Sequence, residues 1–137
     1  MDRKTLRFDS EYYGNYDVAL EVDTCTSDNS LYICLLAKYE DSTNFEPHAN
    51  LTIDLGKDLK PNEAFIYAYG SDKGMLELVV NNRLGKELPE IARIDLKRYP
   101  KIAFDMERLK EFDPEGVKKH LKKHEKSFNK KQKEYER

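Results

Sequence analysis

The chain has 137 residues, of which 39% are hydrophobic, and this suits a single domain with one modest core. Its 24 basic and 26 acidic side chains give a net charge of −2, and no run approaches the roughly 18 apolar residues that a membrane span needs. The start Met-Asp-Arg-Lys also lacks the apolar stretch of a secretion signal. We therefore expect a soluble, cytoplasmic protein with no membrane partner.

The charge is distributed unevenly along the chain. Residues 1–60 carry 6 basic and 12 acidic side chains, residues 61–110 carry 9 and 8, and residues 111–137 carry 9 and 6. The protein is therefore acidic at its start and basic at its end. Its two cysteines, Cys25 and Cys34, have neither a zinc-site spacing nor a disulfide framework, so both are expected to be reduced and Cys34 to be buried.

The first two thirds of the chain alternate apolar and polar residues with a period of two, which is typical of half-buried strands. The alternation predicts strands at 5–8, 17–23, 31–39, 49–55 and 64–69. Tyr12-Tyr13-Gly14-Asn15 suits a tight turn between the first two strands, because glycine and asparagine tolerate a positive φ. Residues 40–48, which include Pro47, are predicted to form a loop.

The period changes after the fifth strand, where apolar residues recur at spacings of three and four. They predict a helix that begins at Ser71 or Asp72. Gly85 is predicted to adopt the left-handed conformation that terminates it. The β-branched pair Val79-Val80 leaves a strand as the alternative. The apolar positions are Met75, Leu76, Val79, Val80 and Leu84.

Residues 86–98 carry an ambiguous pattern, in which Ile91, Ile94 and Leu96 are candidates for a short strand. A last strand is predicted at 102–104, after Tyr99-Pro100, and 106–112 suits a short helical turn.

The final segment has the pattern of a long amphipathic helix beginning at Asp113-Pro114-Glu115. One stripe of this helix is mainly apolar, and lysines fall on the opposite face. The stripe contains Val117, Leu121, His124, Phe128 and Tyr135. The basic face contains Lys118, Lys119, Lys122, Lys123, Lys126, Lys130 and Lys133.

These elements predict an α+β fold: a mostly antiparallel sheet of five to seven strands, one short packed helix and a long amphipathic C-terminal helix. Residues 1–112 form the α+β domain, and residues 113–137 form the helix. The pattern leaves open whether that helix packs on the sheet, swaps into a dimer or extends as a tail. The oligomeric state is therefore also open.

A series of short patterns over residues 13–105 resembles small proteins of unknown function carried on conjugative and other mobile elements of Gram-positive gut bacteria. The chain departs from similar proteins at Ala68-Tyr69-Gly70-Ser71, where they have Asn-Cys-Pro-Trp, and at Arg93-Ile94-Asp95, where they have Ser-Gly. The resemblance implies no activity, only a genomic setting of accessory or anti-defence cargo. It is carried by Tyr13-Gly14-Asn15, Asn50 to Leu55, Asn62 to Ile66, Asn82 with Leu84-Gly85-Lys86, and Tyr99-Pro100 before Phe104-Asp105.

No residue pattern predicts a catalytic, cofactor or metal site, and we expect no enzyme and no cofactor. His120 and His124 are four residues apart on the predicted helix, but neighbouring lysines would repel a dication and no full ligand set exists. His124, on the stripe, is instead expected to be packed and hydrogen-bonded. Cys25 has no basic group nearby to stabilise a thiolate, Cys34 is expected to be buried, and no phosphate-binding loop is present.

The leading functional prediction is a non-enzymatic interaction protein of a mobile element that binds and inhibits a host defence protein. The alternative is a nucleic-acid-binding accessory protein that uses the basic helix. Clustered tyrosines and carboxylates are the predicted protein contacts: Tyr12, Tyr13, Tyr16, Asp17, Glu21 and Asp23. The predicted nucleic-acid contacts are Lys118, Lys119, Lys122, Lys123, Lys126 and Lys130.

Overall fold

The structure is a computed structural model that describes residues 4–10, 14–25, 30–38, 44–55, 59–68 and 74–123. Eight strands and three helices lie within these residues. The strands are β1 (Leu6–Ser10), β2 (Gly14–Thr24), β3 (Leu31–Ala37), β4 (Glu46–Asn50), β5 (Thr52–Ile53), β6 (Glu63–Ile66), β7 (Gly85–Ile94) and β8 (Lys97–Phe104). The helices are α1 (Met75–Asn81), α2 (Met106–Lys110) and α3, helical over 114–123 in the described residues.

The strands form two four-stranded antiparallel sheets, with orders β1-β2-β3-β4 and β5-β6-β8-β7. The α+β class is confirmed, whereas the expectation of one sheet of five to seven strands is wrong. The chain passes from the first sheet to the second once, because β1–β4 precede β5–β8 in the sequence. Leu51 is the single residue between β4 and β5. Its N–H donates to the Ile33 carbonyl of the first sheet at 2.9 Å, and its carbonyl accepts from Tyr67 N–H, just after β6, at 3.0 Å.

The main core lies between the two sheets and the helices. Alternate residues of β1, β2, β3, β6 and β8 point into it, as the period-two pattern requires. The strands contribute Val18, Leu20, Val22, Leu31, Ile33, Leu35, Ile66, Ile102 and Phe104, and the helices contribute Met75, Leu78, Val79, Leu109 and Val117.

Two predicted boundaries in the first sheet are wrong. Gly14 and Asn15 belong to β2, where they pair with Ser10 and Asp9, and Tyr12 and Tyr13 lie outside the described residues. Pro47 belongs to strand β4 rather than to a loop. Proline is tolerated there because β4 is an edge strand and its register with β3 shifts at this point.

Helix α1 ends differently from the prediction. The left-handed residue is Arg83, with φ of 56°, and not Gly85. Leu84 N–H donates to the Val79 carbonyl and Arg83 N–H donates to the Val80 carbonyl, which is a Schellman ending. Gly85 is needed for space instead, since a Cβ there would lie 2.6 Å from Cγ2 of Ile102.

The ambiguous segment 86–98 is part of a long hairpin made of β7 and β8. The alternation in β7 is interrupted because the register shifts between Glu87 and Ile91. Lys101 of β8 is nearly buried. Its Nζ lies 3.2 Å from Glu90 of β7 and 3.6 Å from Glu63 of β6. This cluster ties β7 to β8 and β6.

The start of helix α3 is hydrogen-bonded to β2 beyond Val18, the last residue of β2 that pairs with β1. Asp113 accepts from Val22 N–H at 2.9 Å and from Gly116 N–H at 3.1 Å, so its carboxylate serves both a strand and the helix start. A Cβ at Gly116 would lie 2.3 Å from the Val22 carbonyl oxygen, so only glycine permits this approach. The described part of α3 is therefore packed against the same chain.

The predicted apolar stripe of α3 is confirmed at Val117, which is fully buried, and at Leu121, which packs against the core. Within the described part of the helix, His120 is also fully buried. The described stripe therefore contains two predicted positions, 117 and 121, and also position 120, which was not predicted. His124, Phe128 and Tyr135 lie outside the described residues.

Candidate functional site

The predicted acidic contacts lie on the outer face of the first sheet. Asp17, Glu21 and Asp23 occupy alternate positions of β2 and are all exposed. Asp17 lies 3.9 Å from Arg7 on β1, and Asp23 accepts from Thr24 N–H at 2.8 Å. Tyr12, Tyr13 and the Tyr16 side chain lie outside what the structure describes. The carboxylates therefore share a face, but two of them already have partners.

The centre of this face is a small apolar cluster of Ala19, Cys34 and Leu36, with Tyr32 and Phe45 packed against it. Burial raises the pKa of the Cys34 thiol, and the Glu21 carboxylate opposite it on β2 raises that pKa further. The prediction that Cys34 is buried is confirmed. A thiol that holds its proton in this way is a poor nucleophile.

The tip of the β7–β8 hairpin has a different character. Asp95, with φ of 57°, and Leu96 form its two-residue turn, between Ile94 and Lys97. Cross-strand partners share a face, so the pair Ile94–Lys97 lies on one side of the ribbon and the pair Arg93–Arg98 on the other. The side with the arginines continues to Ile91 and its partner Pro100.

Aliphatic side chains are unusually exposed at this tip. Leu96 is 92% exposed, Ile91 46% and Ile94 45%. In the described part of the chain, the other large hydrophobic residue exposed to this degree is Val80 on α1, at 46%. Ile91 and Ile94 lie on opposite sides of the ribbon and Leu96 lies at its turn, so the tip offers exposed aliphatic side chains that a protein partner could bury.

The basic residues of the tip carry no ion pairs within the described residues. Arg93, Lys97 and Arg98 are exposed, and neither a carboxylate nor a carbonyl of the described chain binds their side chains. Arg108 behaves differently, because it donates to the Asn82 carbonyl at 3.1 Å and to Glu111 at 2.9 Å. We call residues 91–98 the hairpin tip.

Strand β7 is also the edge of the second sheet, but it is poorly suited to pairing with another strand. Pro89 lacks an N–H group, and the register shift between Glu87 and Ile91 distorts the strand. Both features are ways in which proteins block edge-to-edge association. A partner of the hairpin tip would therefore engage its side chains and not its backbone edge.

The predicted basic face of α3 is present as far as the structure describes it. Lys118, Lys119, Lys122 and Lys123 are all exposed, and the described residues supply no acidic partner for them. Lysines four apart on a helix repel each other weakly, and the pairs 118/122 and 119/123 both have this spacing. Lys126 and Lys130 lie outside the described residues.

Residues 19–124, from the middle of β2 to just past the described end of α3, match a family described as a domain of unknown function (DUF4313). The chain belongs to the DUF4313 family. The matched segment contains the hairpin tip and the described part of the basic face of α3, but it begins after the predicted contacts Tyr12 to Asp17. The expected resemblance to proteins of unknown function is confirmed at this level.

No curated protein sequence and no solved structure matches the DUF4313 protein significantly. Among the residues that the structure describes, no helix is both long enough and apolar enough to cross a membrane.

The DUF4313 domain uses its buried histidine as a packing element. His120 Nδ1 lies 2.8 Å from the Thr24 hydroxyl, and Nε2 lies 2.7 Å from the Pro61 carbonyl, so both ring nitrogens face hydrogen-bond partners. Its neighbours supply no ligand set. Over the described ranges, no group of three or more histidine, cysteine or acidic side chains could hold a metal ion.

A polar recess of about 510 Å³ lies at the end of α1, lined by Asn82, Arg83, Asp105, Arg108 and other residues. Two of the side chains that line it already make contacts within the protein. Asp105 accepts from Glu107 N–H and Arg108 N–H at the start of α2, and the Arg108 guanidinium lies over the Phe112 ring. The recess is thus part of the packing between α1 and α2.

The sequence patterns did not single out the hairpin tip as a site. The ambiguous pattern makes Ile91, Ile94 and Leu96 candidates for a short strand, and it does not indicate that they are exposed. A signal was nevertheless present in Arg93-Ile94-Asp95-Leu96-Lys97-Arg98, where aliphatic and charged residues mix with no clean period. Aliphatic and charged residues mixed in this way at a turn are typical of an exposed surface that contacts another protein.

Proposed function

We propose that the DUF4313 protein is a non-enzymatic interaction protein and that its docking surface is the hairpin tip. The observation that carries this proposal is the exposure of Leu96, Ile91 and Ile94 on one two-stranded ribbon. Burying one such side chain against a partner contributes about 1.5–3 kcal/mol. The ribbon is held at Lys101 by the carboxylates of Glu63 and Glu90, so a protein partner would meet a positioned surface.

The biological setting extends the proposal. The resemblance over residues 13–105 supports a place among the accessory proteins of a mobile element, acting in the cytoplasm. In that setting, the partner would be a host defence protein that is inhibited on binding. The acidic residues of β2, Asp17, Glu21 and Asp23, form a second contact surface for such a partner, supported by their exposure on one sheet face.

The test compares substitutions of two exposed aliphatic residues, one on the hairpin tip and one on α1. The protein and its Leu96→Ser and Val80→Ser variants serve as baits in a bacterial lysate, and captured proteins are quantified by mass spectrometry. We expect a specific partner that Val80→Ser retains and Leu96→Ser loses, because Val80 lies on α1, outside the hairpin. Identical capture by all three baits would contradict the proposal.

A second candidate function is nucleic-acid binding by α3. It is favoured by the four exposed lysines that lack acidic partners within the described residues. Each lysine that meets a phosphate releases counterions, and the logarithm of the affinity then falls with the logarithm of the salt concentration by about 0.9 per contact on duplex DNA. A surface of this kind, without arginine or exposed aliphatic residues, suits a polyanion better than a protein.

This second function is best tested by point substitution, because Val117 and His120 are buried and removal of α3 would disturb the core. We expect Lys118→Gln with Lys122→Gln to reduce the salt slope of DNA binding by about 2. Lys110→Gln is the matched control, since Lys110 is paired with Glu107 at 2.9 Å. Absence of salt-dependent binding, or an equal effect of the control, would contradict this candidate.

A further inference from the structure

We propose that the Arg93–Arg98 pair is a carboxylate-binding site and that the partner of the hairpin tip is an acidic protein surface. This inference rests on the proposed docking function and adds the chemistry of the partner. Arg93 and Arg98 are directly opposite each other in the β7–β8 register, on one face of the ribbon. Opposed residues have Cβ atoms about 4.5–5.5 Å apart, so the two guanidinium groups can reach one anion together.

The arrangement is unfavourable in the free protein. Like charges directly opposite each other in an antiparallel pair repel, and the described residues place no carboxylate against either guanidinium. Residues 93–98 carry three cations and one anion, a net charge of +2. A carboxylate between the arginines would turn the repulsion into two charge-assisted contacts.

Arginine is suited to this role because its planar guanidinium binds carboxylates through two parallel N–H donors. Two other arginines of this chain have a carboxylate partner within it, since Arg7 lies 3.9 Å from Asp17 and Arg108 lies 2.9 Å from Glu111. The hairpin tip thus has donors of the same kind with no acceptor among the described residues. We infer that the acceptor comes from the partner.

The neighbours of the arginine pair favour a protein over a nucleic acid. The next cross-strand pair on the same face is Ile91–Pro100, and Leu96 projects at the turn. Arginine beside exposed aliphatic side chains is the composition of a protein interface, where lysine is depleted.

The experiment uses the full chain and two defined probes, a hexaglutamate peptide and a short duplex DNA. Backbone amide shifts are followed by NMR during each titration, at low salt and at about 0.5 M salt, where exposed charges are screened. The variant is Arg93→Gln with Arg98→Gln. The matched control is Lys118→Gln with Lys119→Gln, which removes the same charge from α3.

We expect hexaglutamate to shift the amides of residues 91–98. The arginine variant should weaken that binding by at least about tenfold, since two charge-assisted contacts are lost, whereas the lysine control should leave it unchanged. High salt should abolish it. Equal weakening by the control, no binding to the hairpin tip, or binding there of DNA alone would overturn the inference.

A second measurement separates this inference from the proposed function. The partner captured through Leu96 is titrated with the same arginine variant. Affinity lowered by about tenfold or more supports an acidic partner surface. If binding still depends on Leu96 but not on the arginines, the docking function stands and the carboxylate site is wrong. If no Leu96-dependent partner exists, the docking function fails, while the hexaglutamate titration still decides whether the arginine pair binds carboxylates.

Discussion

The imidazole Nδ1 of His120 lies 2.8 Å from the hydroxyl oxygen of Thr24, although 96 positions separate the two residues in the chain. The other ring nitrogen faces the Pro61 carbonyl, which can only accept, so Nε2 carries a hydrogen. In the neutral ring the Thr24 hydroxyl then donates to Nδ1. One side chain therefore joins α3 to the end of β2 and to the segment before β6.

Replacing His120 by phenylalanine should lower the free energy of unfolding by about 2–4 kcal/mol, because the Thr24 hydroxyl and the Pro61 carbonyl lose a buried partner. Urea denaturation measures the effect. Lys119→Ala, on the exposed side of the same helix, should change stability by less than about 0.5 kcal/mol. A double-mutant cycle with Thr24→Val should give a coupling energy of about 0.5–3 kcal/mol. Additive effects would show that the contact contributes nothing.

Replacing Gly116 by alanine should destabilise the protein by more than about 1 kcal/mol, although alanine is the better helix former by about that amount. The new Cβ would lie 2.3 Å from the Val22 carbonyl, so α3 would have to move away from β2. Thermal or urea unfolding checks the sign. Lys118→Ala, on the exposed face of the same helix, is the control. A stabilised Gly116→Ala variant would mean that α3 does not approach β2 this closely.

Replacing Arg83 by glycine should stabilise the protein by up to about 1 kcal/mol, since a left-handed conformation costs an L-residue about 1–2 kcal/mol and the greater unfolded freedom of glycine offsets part of the gain. Arg83→Ala is the matched comparison, because it removes the guanidinium but keeps the Cβ at φ of 56°. It should bring no such gain. Equal stabilities of the two variants in urea would place the cause in the side chain and not in the backbone.

The Cys34 thiol should make stability depend on pH in the alkaline range. Its pKa is raised by burial and then by Glu21, so the folded state favours the protonated form. Its contribution is complete below the unfolded pKa of about 8.5 and is lost as pH rises through the raised folded pKa. Unfolding free energies measured upward from pH 7.5 should therefore fall more steeply for the natural protein than for Cys34→Ala. Parallel curves would contradict the assignment.

The alternating pattern was enough to predict β1, β3 and most of β2, because each strand buries one face and a period of two leaves little choice. It was not enough for the boundaries near Gly14 and Pro47. Glycine and proline are turn residues by local preference, and only the pairing of β2 with β1, and the edge position of β4, make them strand residues here.

The hairpin shows a different failure. The register shift between Glu87 and Ile91 breaks the alternation, so the pattern predicted a short strand where a strand of 10 residues exists. The candidate site lies in the part of this hairpin that follows the register shift. The hairpin continues past the core there, and Ile91, Ile94 and Leu96 are left exposed. Burial depends on what covers a residue, and the pattern cannot supply that.

The sequence by itself determined the class of fold, the order of most elements and the start of α3 at Asp113, because strand alternation and helix capping are local properties. Only the tertiary structure decided that His120 is buried, that Arg83 is the left-handed residue after α1 and that Arg93 faces Arg98 without a described acidic partner. These outcomes depend on distant backbone segments that meet only in the folded chain, such as Thr24 and Pro61 around one imidazole.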